Sequence, residues 1–216
     1  MYGQVVLPMK AAGLITVAGQ SQRMHAFKPL LPIDGTPMIA LTANVFRSAG
    51  ITDLFVVVGK RGEEIISVLD GYNARFLWND AFETTEMFAS FQIGLSAIRE
   101  TGEYDAAFLL PGDMPAVEPA VLRQLMSKME AEDWDAIFPS DGMRRLHPPL
   151  IRATLFDPLI AYSGEDGLRG AFRFLNARIG YVETPEQGCA LDVDTPDDYA
   201  RVQQYLRLKQ TKEDDA

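Results

Sequence analysis

The sequence predicts a three-layer α/β/α sandwich around a mostly parallel central sheet. Short β-branched apolar runs recur along the chain, and between them lie segments with helical spacing of about 10–15 residues. Glycine or proline closes most of the runs, as expected where a buried strand ends. Strands that alternate with helices in this rhythm form a parallel sheet covered on both faces.

In chain order, "GLITVAG" is the first apolar run, closed by Gly19. "TPMIALTANVFRSAG" places Met38, Ile39, Leu41, Val45 and Phe46 at helical spacing, with Gly50 suited to its end. "ITDLFVVVG" reads as the second strand, "RGEEIISVLDG" as a short helix and "ARFLWN" as the third strand. "EMFASFQIGLSAIRE" is helical, and "YDAAFLLPGD" is a fourth strand cut off by Pro111 and Gly112. "EPAVLRQLMSKMEAE" is a helix with Pro119 in its first turn, and "WDAIFPS" is a fifth strand. After Ser140 the rhythm loosens. "MRRLHPPLI" looks extended, followed by "TLFDPLIAY", "GLRGAFRFLNA", "IGYVET" and a last helix, "TPDDYARVQQYLRL". The expected organisation is a flexible leader over 1–12, one domain over 13–208 and a charged, frayed tail over 209–216.

The chain has 216 residues, 47% of them hydrophobic and 23% charged, enough to bury a sizeable core. Its formal net charge of −10 argues against binding nucleic acid, because an acidic surface repels phosphate backbones. Any phosphate site must be local. The one cysteine, Cys189, excludes an intramolecular disulfide framework and reads as a half-buried structural thiol. No apolar run approaches the roughly 18 residues of a membrane span, and a cytoplasmic protein is expected.

The stretch Thr16–Gly35, "TVAGQSQRMHAFKPLLPIDG", holds the first sign of chemistry. A strand running into a glycine turn is where open parallel sheets bind ligands. Gly19 lets the backbone approach a ligand, and successive N–H groups from Gly19 to Gln22 could form an anion nest. Arg23 can grip phosphate oxygens in a fork, and Lys28 adds a point charge. The loop is neither a Walker A loop nor a G-x-G-x-x-G fingerprint. An ordinary strand–turn–helix crossover with surface charges would carry the same residues.

Taken with four further segments, "VAGQSQRMHAFK" resembles the A-G-x-S-x-R-M-G-x-x-K signature of the MobA-like nucleotidyltransferases. "PGDMP" (111–115) is similar to their Gly-Asp-Met-Pro metal motif, and "LHPPL" (146–150) to their Gly-His-Pro segment. "GEDGLRGAFRFL" (164–175) resembles their Gly-Asp-x-Gly-Ala-Arg segment, and "DVDTPDDY" (192–199) their D-I-D-T-P-E-D-Y ending. The matches run in family order from about Leu14 to Leu206. The resemblance implies a Rossmann-like, nucleotide-diphospho-sugar-transferase-like fold. Within the family it is closest to the molybdenum cofactor cytidylyltransferases. The guanylyltransferase branch usually reads A-G-G and N-I-N-T-P where this chain has Ala18-Gly19-Gln20 and Asp192-Val193-Asp194.

The implied reaction joins a phosphomonoester, molybdopterin in the closest relatives, to the α-phosphate of an NTP, CTP being favoured, and releases pyrophosphate. Ala18, Gly19, Gln20, Ser21 and Gly112 would line the nucleotide. Arg23 would neutralise the leaving pyrophosphate, and Lys28 would approach the α-phosphate, where charge builds up. Asp113 and Asp194 would hold Mg²⁺, with Asp192 behind them. Asn79 and Ser90 fall where the family places base, ribose or substrate contacts, and His147 and Arg169 where it binds the acceptor. A transient contact with a molybdoenzyme would deliver the product.

The residues themselves allow blander roles. Asp113 could cap a helix, and "DTPDD" is a good helix start with Thr195 or Asp194 as its cap. Asn79 could simply end a strand, and Arg169 could be a solvated charge. Three family glycines are replaced, by His25, Glu86 and Leu146. If those glycines need positive φ, the loops here differ. Glu86 would push an acid towards an anionic ligand, and Leu146 would make the acceptor side apolar. Three activities stay open: CMP transfer to molybdopterin, NTP transfer to a sugar phosphate or other small phosphomonoester, and nucleotide binding without turnover.

Overall fold

A computed structural model describes residues 8–18, 26–185 and 187–214. Of these, 212–214 are described in their backbone alone. Ten strands and seven α-helices follow one another along the described residues. They are β1 (Ala11–Val17), β2 (Pro32–Ile33), β3 (Thr36–Pro37), α1 (Met38–Ala49), β4 (Leu54–Val58), α2 (Gly62–Val68) and β5 (Ala74–Trp78). Then come α3 (Met87–Thr101), β6 (Ala106–Pro111), α4 (Pro119–Ala131), β7 (Ala136–Asp141), β8 (Arg144–Arg145) and β9 (Leu150–Arg152). The last four are α5 (Phe156–Ala161), α6 (Gly167–Phe174), β10 (Ile179–Glu183) and α7 (Pro196–Asp214).

The main sheet has the order β10-β7-β9-β6-β1-β4-β5, with β8 paired to β7. β1 pairs in parallel with β4 and β6, β4 with β5, and β7 with β10. β9 is inserted antiparallel between β6 and β7. This is the expected mostly parallel sheet. β2 and β3 form a separate small hairpin, with Asp34 and Gly35 at positive φ in its turn.

Alternation along the central strands explains the two covering layers. Ile15 and Val17 of β1, Val56 and Val58 of β4, and Phe108 and Leu110 of β6 face one side, under α1, α2 and α4. Leu14, Phe55, Val57, Ala107 and Leu109 face the other, under α3, α5 and α6. A strand buried on both faces needs apolar residues at every position, so it reads as a continuous apolar run. α1 stops at Gly50, whose φ of 88° lets its N–H turn back to the helix.

The ends differ from the expected boundaries. β1 begins at Ala11, inside the expected leader, and Met9 and Lys10 already bond Glu130 and Asp105 through their N–H groups. Residues 1–7 lie outside the described residues. α7 continues to Asp214, past the expected end of the domain at Leu208. Glu118 anchors this extension, pairing with Lys209 and accepting a hydrogen bond from Tyr205.

The spacing of α3 over β1 is set by Gly94. A Cβ there would lie 2.2 Å from Leu14 Cδ1, in a fully buried position. Gly94→Ala should therefore lower stability by about 1–3 kcal/mol through overpacking, although alanine at an open helical site gains about 1 kcal/mol over glycine. Urea unfolding midpoints test this. An unchanged or raised midpoint would mean the helix is free to lift from the strand.

Candidate active site

The parallel strands β1, β4 and β6 end together at one edge of the sheet, and the predicted chemistry gathers there. β6 ends at Pro111, and Gly112 is pressed against β1. Its N–H donates to Thr16 O at 2.9 Å, and an added Cβ would sit 2.2 Å from Val17 Cγ1. Glycine is required here by close approach. Asp113 follows at once, so its carboxylate emerges from a backbone with little room to move.

Lys28 reaches this point from a single 3-10 turn, Lys28–Leu30, anchored by buried Pro29. Its Nζ donates to Asp113 Oδ2 at 2.8 Å and to Asp194 Oδ1 at 2.9 Å. Burial, the largest influence on this lysine, pulls its pKa down. The charges and hydrogen bonds of Asp113 and Asp194 together outweigh it and hold the pKa above the ordinary lysine value. The ammonium is therefore a fixed cation between two carboxylates.

Asp194 is brought in by two local devices. Val193 is fully buried and its N–H donates to Asp113 O at 3.1 Å, which stitches the segment before α7 to the end of β6. The start of α7 is closed by Thr195 and Asp198. Asp198 accepts from the Thr195 N–H at 2.8 Å and from its hydroxyl at 2.7 Å, while the Asp198 N–H donates to Thr195 Oγ1 at 3.2 Å. The Thr195 hydroxyl leads the interactions that hold the Asp198 carboxyl down at about 2, with Arg201 and the Thr195 N–H adding to it. With Thr195 and Asp198 forming the capping box, the Asp194 carboxylate is left to face Lys28. Asp113 caps no helix: α4 begins after Glu118, and the Asp113 carboxylate faces Lys28. Asp192 is exposed.

His147 lies beside this cluster, in the segment leading into β9. Its N–H donates to Cys189 O at 3.2 Å, and the His147–Pro148 peptide is cis. The imidazole Nδ1 is buried without a hydrogen-bond partner among the described residues. Burial pushes the His147 pKa below its ordinary value. A hydrogen bond to the Leu109 backbone and the charges of Asp113 and Asp192 oppose that without reversing it.

Asn79 and Ser90 are both buried and meet each other. Asn79 Nδ2 donates to Ser90 Oγ at 3.0 Å and Thr85 Oγ1 at 3.1 Å, and its Oδ1 accepts from the Ala81 N–H at 3.1 Å. The amide is thus engaged in pinning the loop between β5 and α3. Ala18 is buried at the end of β1. Arg169 is exposed in the first turn of α6 and makes no ion pair among the described residues. Gly19, Gln20, Ser21, Arg23 and His25 lie outside the described residues.

Two of the glycine replacements need no left-handed backbone. Glu86 precedes α3 with an extended backbone, φ −78°, and no positive φ occurs at Leu146. Leu146 does not make the acceptor side apolar as expected. It is buried in the core layer that includes Leu150 and Cys189. Cys189 is fully buried rather than half-buried. Arg61 is an addition to the expected set: its guanidinium lies 4.6 Å from the centre of the Phe27 ring, next to Lys28 in the chain. A single arginine after the "VVVG" run gave no signal of that stacking.

Among the described residues no three His, Cys, Asp or Glu side chains converge. The Asp113 and Asp194 carboxylates do converge, both within 2.9 Å of one ammonium. Two hard oxygen donors suit Mg²⁺ or Mn²⁺, which take further ligands from phosphate and water.

Residues 13–179 match the sequence model of the MobA-like NTP transferase domain. A CMP-5'-(3-aminopropyl)phosphonate synthase from Streptomyces rubellomurinus is 31% identical over 166 residues, 75% of this chain and 25% of that protein. A probable molybdenum cofactor guanylyltransferase from Natronomonas pharaonis is 25% identical over 203 residues, 90% of this chain and 97% of that one. The crystal structure of Rv0371C from Mycobacterium tuberculosis H37Rv in complex with manganese superposes with a TM-score of 0.70 at 25% identity, covering 90% of this chain and 98% of that one. The chain spans about a quarter of the length of the first curated relatives it matches.

The desolvation of the His147 imidazole has a pH consequence. Its folded pKa lies below the unfolded value of about 6.5, so the unfolded chain takes up the proton first as pH falls. The associated stability is complete above about pH 6.5 and is lost below it, until folded His147 also titrates. His147→Gln should remove that part of the slope, read from denaturant midpoints between about pH 5 and 7. An unchanged slope would show that His147 is not the group responsible.

Proposed function

We propose that this chain, which belongs to the MobA-like NTP transferase family, transfers CMP from CTP to a phosphomonoester of the molybdopterin class and releases pyrophosphate. The observation that carries the proposal is Lys28 held between Asp113 and Asp194 at the strand ends. A fixed cation beside two convergent carboxylates suits phosphoryl chemistry, where positioning and charge neutralisation do most of the catalysis.

In the proposed step a phosphate oxygen of the acceptor attacks the α-phosphorus of CTP in line. The bond to the β-phosphate oxygen breaks, and pyrophosphate leaves with the bonding pair. Lys28 turns its ammonium from the carboxylates towards the α-phosphate as charge accumulates there. Arg23 neutralises the departing pyrophosphate, and the Gly19–Arg23 backbone cradles the triphosphate. Asp113 and Asp194 would hold a Mg²⁺ ion, which when bound supplies charge neutralisation on the phosphate oxygens. Ala18 and Gly112 shape the floor beneath the nucleotide. Asn79 and Ser90 act by holding the β5–α3 loop in place for the nucleoside. His147 and Arg169 face the acceptor.

Gln20 and Asp194 support CTP, since the guanylyltransferase branch carries glycine and asparagine there. The name of the Streptomyces relative also contains CMP. That relative favours a second reading of the acceptor, a small phosphonate in place of a phosphomonoester; a sugar phosphate or other small phosphomonoester remains the alternative within the esters. An NTP substrate places the reaction in the cytoplasm, and a molybdopterin product calls for brief contact with the molybdoenzyme that receives it. No described helix is long and apolar enough to cross a membrane.

Pyrophosphate release with Mg²⁺ and each NTP, against molybdopterin and small phosphomonoesters as acceptors, tests the proposal. CTP with molybdopterin should give the highest kcat/KM. Asp113→Asn should lower that rate by about 100-fold or more while the unfolding midpoint stays near that of the parent. A variant with the parent's rate would remove Asp113 from the metal site. No pyrophosphate with any acceptor would leave a nucleotide-binding protein without turnover.

A further inference from the structure

Thr42 is a polar side chain with no exposed surface in the middle of α1. A mid-helix threonine commonly bonds back to the carbonyl four residues earlier, and Thr42 Oγ1 lies 3.2 Å from Met38 O. It lies closer, at 3.1 Å, to the carbonyl of Gly112, seventy residues further along the chain. A hydroxyl has one proton to give. The Met38 carbonyl already serves the i→i−4 bonding of α1. The Gly112 carbonyl lies just beyond the last strand residue of β6, Pro111.

That carbonyl belongs to the peptide that joins Gly112 to Asp113, so its direction sets where the Asp113 backbone starts. The same short segment is held at three other points. The Gly112 N–H donates to Thr16 O. There is no space for a side chain on the Gly112 Cα. The Asp113 carbonyl accepts from the Val193 N–H. Thr42 adds a side-chain hydrogen bond to this set, from the same helix whose Ile39 crowds Gly112.

We propose that Thr42 is a positioning residue: its hydroxyl orients the Gly112–Asp113 peptide so that the Asp113 carboxylate meets Asp194 at one point. The proposal rests on the reading of Asp113 as a cation ligand. It assigns a role in the site to a residue fully buried in a core-facing helix.

Mn²⁺ binding to the full chain in the presence of CTP, followed by electron paramagnetic resonance, reads the carboxylate geometry without an acceptor. Thr42→Val keeps the shape and removes the donor. It should weaken Mn²⁺ by about tenfold or more, the usual effect of removing a group that orients a metal ligand. Thr42→Ser keeps the donor and should stay within about twofold of the parent. If Thr42→Val fails to fold, Thr42→Ala against Thr42→Ser asks the same question across one oxygen atom. Mn²⁺ affinity equal to the parent's in the variants that lack the hydroxyl would overturn the proposal, whatever happens to their unfolding midpoints. Asp113→Asn is measured alongside. If it too binds Mn²⁺ like the parent, the reading of the site fails and the Thr42 proposal falls with it. If Asp113→Asn loses Mn²⁺ and Thr42→Val does not, the Thr42 proposal alone fails.

Discussion

One ammonium ion placed between two carboxylates is the constraint on which the site depends. Asp113 and Asp194 would repel each other at this separation from a common point, and Lys28 offsets that repulsion. The three residues come from a 3-10 turn, a strand end and a helix start, all far apart in sequence. Each therefore has its own anchor. Buried Pro29 holds the turn, the crowded Gly112 holds the strand end, and the Thr195–Asp198 box holds the helix start. With a net charge of −10, the chain could gather the proposed anionic substrate only through such a local arrangement.

α7 links these anchors. Its Tyr199 hydroxyl bonds Pro32 O and its Arg207 pairs with Asp34, so the helix that follows Asp194 also grips the hairpin that follows Lys28. Exposed ion pairs such as Arg207–Asp34 add little stability alone. The apolar set beneath them, Ile33, Met38, Ala116, Val193 and Val202, does more. It joins the hairpin, the start of α1, the loop after Asp113 and α7 in one small core. Residues on both sides of the lysine are thus tied to one apolar core, the kind of support that the proposed positioning catalysis needs.

How legible each part was follows from the range of the interaction behind it. The strands β1, β4 and β6 were plain, because burial on both faces writes itself as unbroken apolar runs. Gly112 and Asp113 were visible as a strand stop followed by a carboxylate, and Lys28 as a cation just beyond a glycine loop. The antiparallel β9 was visible only as extended chain: three residues behind two prolines carry no sign of direction. The run of α7 past Leu208 was hidden because it depends on distant Glu118, not on apolar periodicity. The inward turn of Leu146 was not legible, because nothing local says which way an extended segment turns. Thr42 gave no signal at all, since its partner is a backbone carbonyl seventy residues away.

The central claim is that this sheet edge holds a nucleoside triphosphate and prefers CTP. Calorimetric titration of the protein with CTP, GTP, ATP and UTP, each with Mg²⁺, tests it most directly. The account predicts that CTP binds most tightly and that binding weakens when Mg²⁺ is withheld. Preference for another nucleotide would contradict the assignment to CTP. No binding of any nucleotide would contradict the site itself.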